Sequence, residues 1–268
     1  MDITNGMRMV CVVKFVPDVD SFSYDYAQDE VRRDQVRMVL NPDDVCAVSF
    51  ALKMKEQDGD SHIEVVTMAP RSVKPHMEDL LRLDIDEGTI ISDPAFAGSD
   101  TYATSTILGK YLESRKFDCL LTGTRSLDGA TSHVPAQLAE VLGMDQMQDI
   151  IAIESLDSAE AVFTIEDEQY LRTYAMGMPG ILALARASGY ALPYIAYEDF
   201  DKDVSDKLTF VTNATLHCAP DEIGLSGSLT QVVHTYAKHH HTRAGKIVHT
   251  DDAGIDAVHS FLEERGYV

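Results

Sequence analysis

Positive charge is what this sequence has least of. Its 268 residues carry 22 Lys and Arg against 44 Asp and Glu, a formal net charge of −22. A surface that acidic repels nucleic acid and anionic membranes, so neither is expected as a partner. It favours solubility and a partner with a basic face; adaptation to a salty cytoplasm is the other cause of such a balance. Long apolar runs are also missing. The longest fall far short of the roughly 20 residues that a membrane-spanning helix needs, so no membrane insertion is expected. The opening MDITNGMRMVCVVKFV lacks the charged region, apolar core and cleavage site of a signal peptide, and its apolar residues read as a first strand. The four cysteines, Cys11, Cys46, Cys119 and Cys218, are scattered with no C-x-x-C pair. They read as buried thiols in a reducing, cytoplasmic compartment rather than as a disulfide framework or a zinc site.

Familiar site motifs are absent as well. There is no G-x-G-x-x-G anywhere in the chain. A P-loop needs Gly, four residues, then Gly-Lys-Ser/Thr; here five residues separate Gly123 from Gly129, and Ala130 stands in the lysine position. Without a G-x-S-x-G elbow, Ser/His/Asp catalysis has no support, and no catalytic side chain is identified. Lys238-His239-His240-His241 is the densest histidine cluster. Adjacent histidines do not share one helix face, so this reads as a solvated loop, and no metal site is expected. The acidic run Glu198–Asp206 reads as a solvated face, and Met176 and Met178 as core or interface filler. Repeats and low-complexity segments are lacking.

What is present is the patterning of an α/β protein. Hydrophobic content of 45% and charged content of 25% are ordinary for a globular chain. Met9–Val16 is a nearly continuous apolar run that suits a strand buried on both faces. Asp18–Arg37 is polar and irregular, a loop or loose hairpin. Asn41-Pro42-Asp43-Asp44 opens a helix, with Asn41 as cap, Pro42 in first position and two acids at the positive end; Gly59 closes it. Strands are predicted over Ile63–Met68, Thr89–Ser92 and Cys119–Thr122, with helices over Ser72–Leu83 and from Gly98-Ser99-Asp100-Thr101 to Lys116. These alternations imply a mostly parallel, doubly wound, Rossmann-like sheet, whose ligands sit beyond the carboxyl ends of the strands. Asp149–Glu154, Ala161–Ile165, Tyr170–Ala175 and Ile181–Ala185 read as an antiparallel addition. From Ser188 the periodicity weakens until a final helix over Asp251–Arg265. The expected organisation is an α/β domain over 1–189 and an extended C-terminal arm over 190–268 that needs another surface to pack on.

The stretch that organises the chain is Leu120–Gly143. It runs from strand through a glycine-bearing polar loop to an amphipathic helix, with Thr131 or Ser132 as cap and Pro135 in the first turn. Such a layout sets backbone N–H groups and a positive helix end beside an anion. An ordinary strand-to-helix turn has the same pattern.

A family resemblance enters with the ordered set of short motifs. Val12-Val13-Lys14 with Val16-Pro17-Asp18, Asn41-Pro42 with Asp44, Gly98-Ser99-Asp100-Thr101, Gly123 with Leu127-Asp128-Gly129 and Thr131, and Ile223-Gly224-Leu225 with Gly227-Ser228 follow one another as in the β subunit of electron transfer flavoproteins. The resemblance implies an α/β nucleotide-binding subunit paired with an α subunit that holds a redox-active FAD. It implies AMP as a structural nucleotide or, in the electron-bifurcating branch, the adenosine part of a second FAD to which NADH delivers a hydride. It implies electron passage from a donor to an acceptor dehydrogenase or reductase. The family's nucleotide contacts map onto Val12, Asn41, Pro42, Asp43, Asp44, Met68, Gly123, Thr124, Arg125, Ser126, Leu127, Asp128, Gly129, Ala130, Thr131, Ser132, His133 and Val134. The chain departs from the family's usual Phe at Asp43. It also reads Gly129-Ala130-Thr131-Ser132-His133 for the usual Gly-Asp-Thr-Ala-Gln, which removes an acid and an amide from the loop. The lysine-rich stretch after the docking loop is missing. The alternative is a stand-alone adenine-nucleotide-binding or hydrolysing protein of related fold.

Overall fold

Alternation along a single strand shows how the chain is layered. Met9 and Cys11 enter one apolar cluster, while Val10 and Val12 enter another on the opposite face. A strand buried on both faces is what a near-continuous apolar run produces when helices cover both sides of a sheet. The computed structural model describes residues 6–18, 23–25, 30–32, 37–167, 169–231, 233 and 247–268. Its contacts fall into two units, 1–231 and 232–268.

In chain order the strands are β1 (Arg8–Val12), β2 (Phe15–Pro17), β3 (Ser23–Asp25), β4 (Glu30–Arg32), β5 (Met38–Leu40), β6 (His62–Met68), β7 (Glu87–Ile91), β8 (Cys119–Gly123), β9 (Gln146–Leu156), β10 (Glu160–Asp167), β11 (Tyr170–Gly177), β12 (Gly180–Leu184) and β13 (Leu208–Val211). The helices are α1 (Pro42–Asp58), α2 (Lys74–Leu81), α3 (Thr101–Leu112), α4 (His133–Leu142), α5 (Asn213–Leu216), α6 (Gly224–Gly227) and α7 (Asp252–Glu263). The main sheet is nine-stranded, in the order β11-β10-β9-β12-β8-β1-β6-β7-β13. Only the pairings of β10 with β9 and β11 are antiparallel; the others are parallel. Buried residues of α1 and α2 fill one face and those of α3 and α4 the other. This is the mostly parallel, doubly wound architecture that the strand–helix alternation implies.

The structure corrects the sequence reading at several points. Met9–Val16 is not one strand. The chain leaves the main sheet after Val12, where the Lys14 N–H donates to Asp44 Oδ2 at 2.7 Å and the Asn41 N–H donates to the Lys14 carbonyl at 2.9 Å. β2 then pairs with β5 in a separate ladder. The four strands after Gly143 are not all an antiparallel addition, because β12 returns to lie parallel between β8 and β9. The third helix ends at Leu112, short of Lys116. Beyond it Arg115 turns to the sheet and donates to Glu64 at 2.9 and 3.1 Å. Within Tyr190–Thr230, β13 extends the sheet edge beside β7. The Lys238–His241 cluster and most of Asp18–Arg37 lie outside the described residues.

The second unit contributes α7, where the Asp251 side chain caps the helix by accepting from the Gly254 N–H at 2.8 Å. Ile255, Val258 and Phe261 are exposed there. Among the described residues no helix is long and apolar enough to cross a membrane. No group of three or more His, Cys, Asp or Glu among them could hold a metal ion.

Among the described residues Glu64 is the one carboxylate buried inside the parallel sheet, and it is fully engaged. Arg115 binds it through two nitrogens, the Tyr111 hydroxyl donates to it, and Thr89 lies at 3.2 Å. Removing one partner of a buried pair leaves an uncompensated charge, which costs far more than losing the whole pair. Arg115→Met is therefore expected to lower unfolding stability by about 3 kcal/mol. The double change Glu64→Leu with Arg115→Met should recover most of that loss in chemical denaturation. A double variant no more stable than Arg115→Met would show that the charge itself is not what costs.

Candidate functional site

The sheet's chain order reverses at β1, which has β6 on one side and β8 on the other. The loops that follow β1 and β8 diverge there, and a cleft opens at their carboxyl ends, the usual ligand position in such sheets. The cleft has a volume of about 390 Å³, within the range of small-molecule sites. Its floor is Val12, Val13, Met68 and Thr122, with Lys14 at the rim, and one wall is Gly123–Ser126, Gly129 and Thr131–Pro135. Another wall is Ser99, Asp100, Thr101, Thr104 and Leu108, with Asn41 and Asp44 at the remaining side.

The start of α1 holds the loop after β8 in place. Asp44 Oδ1 accepts the Gly123 N–H at 2.9 Å while its Oδ2 takes the Lys14 N–H, so one carboxylate fastens the ends of both central strands. Asp43 Oδ2 accepts the Arg125 N–H at 3.2 Å. Asn41 accepts the Leu127 N–H at 2.9 Å and donates through Nδ2 to the Arg125 carbonyl at 2.8 Å. Asn41 was expected to cap its own helix, and it makes no such side-chain bond. Pro42 does open that helix, and Gly59 closes it at φ 73° with its N–H on the Lys55 carbonyl. Burial pushes the Asp44 carboxyl up to about 7, against the N–H donors of Lys14 and Gly123 and the Asn41 side chain, which favour its charged form. Burial also raises Asp43, opposed by the Arg125 N–H and charge. Gly123 is required by this approach, since a Cβ there would collide with Asp44 Oδ1 and Asp43 Cβ.

The rest of the loop is open to a ligand. Ala130 and Ser132 hold φ at 50° and 55°, left-handed conformations that cost a non-glycine residue of order 1 kcal/mol each. Such strain collects where a structure presents groups for a purpose. Ser132 was an expected cap for α4, yet neither it nor Thr131 closes the helix through its side chain. The uncapped start of α4 thus meets the cleft at Ser132, His133 and Val134. The start of α3 differs, because Asp100 caps it by accepting the Ala103 N–H at 3.0 Å. At the rim Lys14 pairs with Asp128 at 2.7 Å. Burial alone would raise Asp128, but Lys14, the Ser126 hydroxyl and the Gly129 N–H hold it below the usual carboxylate range.

Of the residues expected to touch a nucleotide, Val12, Asn41, Asp44, Met68, Gly123, Thr124, Arg125, Ser126, Gly129, Thr131, Ser132, His133 and Val134 line this one cleft. Pro42, Asp43, Leu127, Asp128 and Ala130 do not line it; Pro42 opens α1, Asp43 fastens the loop, and the other three belong to the loop itself. The α3 wall was not among the expected contacts. Its only signal was the helix-opening Gly98-Ser99-Asp100-Thr101.

A three-layer α/β protein with a hydroxyl-rich cleft and an uncapped helix start at its switch point has the makings of a nucleotide-binding protein. Residues 30–191, more than half of the chain, match the electron transfer flavoprotein domain. The chain belongs to the electron transfer flavoprotein family, as its ordered motifs implied. It is 27% identical to the electron transfer flavoprotein subunit beta of Thermoanaerobacterium thermosaccharolyticum, over 90% of this chain and 92% of that protein. It is also 27% identical to the caffeyl-CoA reductase-Etf complex subunit CarD of Acetobacterium woodii, over 86% and 88%. To the acryloyl-CoA reductase electron transfer subunit gamma of Anaerotignum propionicum it is 26% identical, over 86% and 88%.

Asn41 supplies a direct test of this geometry. Asn41→Ala removes two bonds to the loop and none to the backbone N–H groups of α1, so amide exchange at Leu127 should speed up by about tenfold, as expected for one lost hydrogen bond. Exchange in the first turn of α1 should not change. Faster exchange confined to α1 would return Asn41 to an ordinary helix cap.

Proposed function

We propose that this chain is the β subunit of a heterodimeric electron transfer flavoprotein, holding an adenine nucleotide in the cleft between β1 and β8. It assists electron passage from a donor to an acceptor dehydrogenase or reductase. The observation that carries this reading is the coincidence of the family match with a cleft whose clamped loop and open helix start come from the residues expected to hold the nucleotide. The donor set fits the ligand. Phosphate oxygens suit the uncapped start of α4 and the Arg125 side chain. The hydroxyls of Thr101, Thr104 and Ser126 suit ribose, and Val12, Met68 and Leu108 suit the faces of a base.

Of the two nucleotides the resemblance implies, we propose FAD. The support is the pairing of the Gly98–Thr101 and Gly224–Ser228 motifs, which looks closer to the electron-bifurcating branch. FAD bound there would supply one- and two-electron redox chemistry; the side chains of this subunit would bind it, orient it and exclude water. The arm over 190–268 is proposed to pack on the α subunit. Buried free thiols at Cys11, Cys46, Cys119 and Cys218 support a reducing, cytoplasmic setting. Denaturing the purified heterodimer and separating its nucleotides should release a second FAD and no AMP. Recovery of one FAD with one AMP would reject the FAD reading and leave the β-subunit reading standing.

The acceptor is proposed to carry a basic face. Tyr194 and Tyr197 are each 99% exposed, and Phe200 is exposed beside Glu198, Asp199 and Asp201. Leu192, another apolar residue of this stretch, instead packs against the core. Exposed aromatics provide binding energy, and the acids around them set the sign of the encounter. Replacing Glu198, Asp199 and Asp201 by Lys should slow association with the physiological acceptor and abolish or invert its salt dependence in stopped-flow measurements. An unchanged rate and salt dependence would move docking to another element.

A further inference from the structure

Two motifs that lie far apart in the chain pack against each other beside the cleft. Segment Ile223–Thr230, which includes α6, folds onto Gly98–Asp100 at the start of α3. The Asp100 N–H donates to the Ser228 hydroxyl at 2.8 Å, and that hydroxyl lies 3.1 Å from the Gly98 carbonyl and 2.8 Å from the Gly224 carbonyl. The Gly224 N–H donates to the Ser99 hydroxyl at 3.1 Å. Thr230 donates twice to Asp100 Oδ2, through its N–H and its hydroxyl, both at 2.8 Å. The other oxygen of that carboxylate caps α3 through the Ala103 N–H. Close backbone approach makes the fit specific: Gly224 holds φ at 59°, and a Cβ there would collide with the Ala95 carbonyl.

Ser99 and Asp100, the residues so fastened, line the cleft together with Thr101. Within the fastening segment Ile223 is buried, whereas Leu225 and Leu229 are exposed. Apolar burial therefore fixes only one end of the segment, and hydrogen bonds near the surface fix the other. Water can replace those bonds without a large loss to the fold, but it cannot hold Ser99 and Asp100 in one position.

We propose that Ile223–Thr230 is a latch, with Ser228 and Thr230 as positioning residues that set the α3 wall for a nucleotide bound in the cleft. The proposal rests on the nucleotide reading. It assigns a task to two hydroxyls that lie outside the cleft lining and reach the ligand only through Asp100 and Ser99.

The test uses the full chain, stripped of bound nucleotide, with AMP and FAD as calorimetric probes and amide exchange measured without ligand. Ser228→Ala and Thr230→Val should each weaken binding by about three- to tenfold, the effect of one lost hydrogen bond. Both should speed amide exchange at Asp100 and Ala103 while leaving Leu127 unchanged. Thr230→Val keeps the backbone bond, so it remains informative should Ser228→Ala unfold. The hydroxyl-preserving changes Ser228→Thr and Thr230→Ser should restore affinity. Unchanged affinity and exchange in the hydroxyl-lacking variants would overturn the latch, as would equal weakening in the hydroxyl-preserving pair. A wild-type chain that binds neither probe would defeat the nucleotide reading and the positioning role with it. The exchange arm, read without ligand, would then show separately whether Ser228 and Thr230 hold the wall.

Discussion

One buried carboxylate makes the cleft possible. Asp44 takes the Lys14 N–H with one oxygen and the Gly123 N–H with the other. Lys14 lies just past the end of β1 and Gly123 is the last residue of β8, where the buried Gly123 N–H would otherwise be a donor without an acceptor. By accepting both N–H groups at the start of α1, Asp44 turns β1 toward β5 and fixes the base of the loop after β8. The space between the diverging chains is the cleft. The arrangement draws on the helix dipole, since a carboxylate in the first turn of α1 is stabilised by the positive helix end. Burial works the other way and raises the carboxyl to about 7.

Much of this was legible in the sequence, and the reason is locality. The start and stop of α1 lie in Pro42 and Gly59, and the double-sided burial of β1 and β6 lies in their apolar runs. Strand direction is less local. β12 reads the same whether it pairs parallel or antiparallel, so its return between β8 and β9 has no signature in composition. Side-chain partners are less local still. Asn41 has the identity of a helix cap, but its acceptor oxygen serves Leu127, 86 residues away. Asp100 and Ser228 are joined across 128 residues; each motif is visible alone, and only the fold shows that they belong together.

Two walls of the cleft are secured by different chemistry. The Gly123 loop is fastened by Asp43 and Asp44, both largely buried, with Asn41 beside them. The α3 wall is fastened by the hydroxyls of Ser99, Ser228 and Thr230, nearer the surface. One side of the site is thus held by buried carboxylates and the other by hydrogen bonds nearer the surface, the kind of contact that opens at lower energy. The exposed aromatics at Tyr194, Tyr197 and Phe200 lie in the same C-terminal third of the chain, downstream of the parallel sheet's last central strand.

The clamp on the Gly123 loop reaches only main-chain atoms: the N–H groups of Gly123, Arg125 and Leu127 and the carbonyl of Arg125. Such a clamp is blind to side-chain identity everywhere except at Gly123, where there is no space for one. Sequence can drift along the loop without loosening this clamp, within the limit that the left-handed φ of Ala130 and Ser132 sets. Gly129-Ala130-Thr131-Ser132-His133 can thus replace the family's more usual Gly-Asp-Thr-Ala-Gln on a scaffold that keeps its shape. Side-chain chemistry and main-chain geometry are separately variable in this loop, and a designer could change side chains over residues 129–133 while leaving Asn41, Asp43 and Asp44 to hold the main chain.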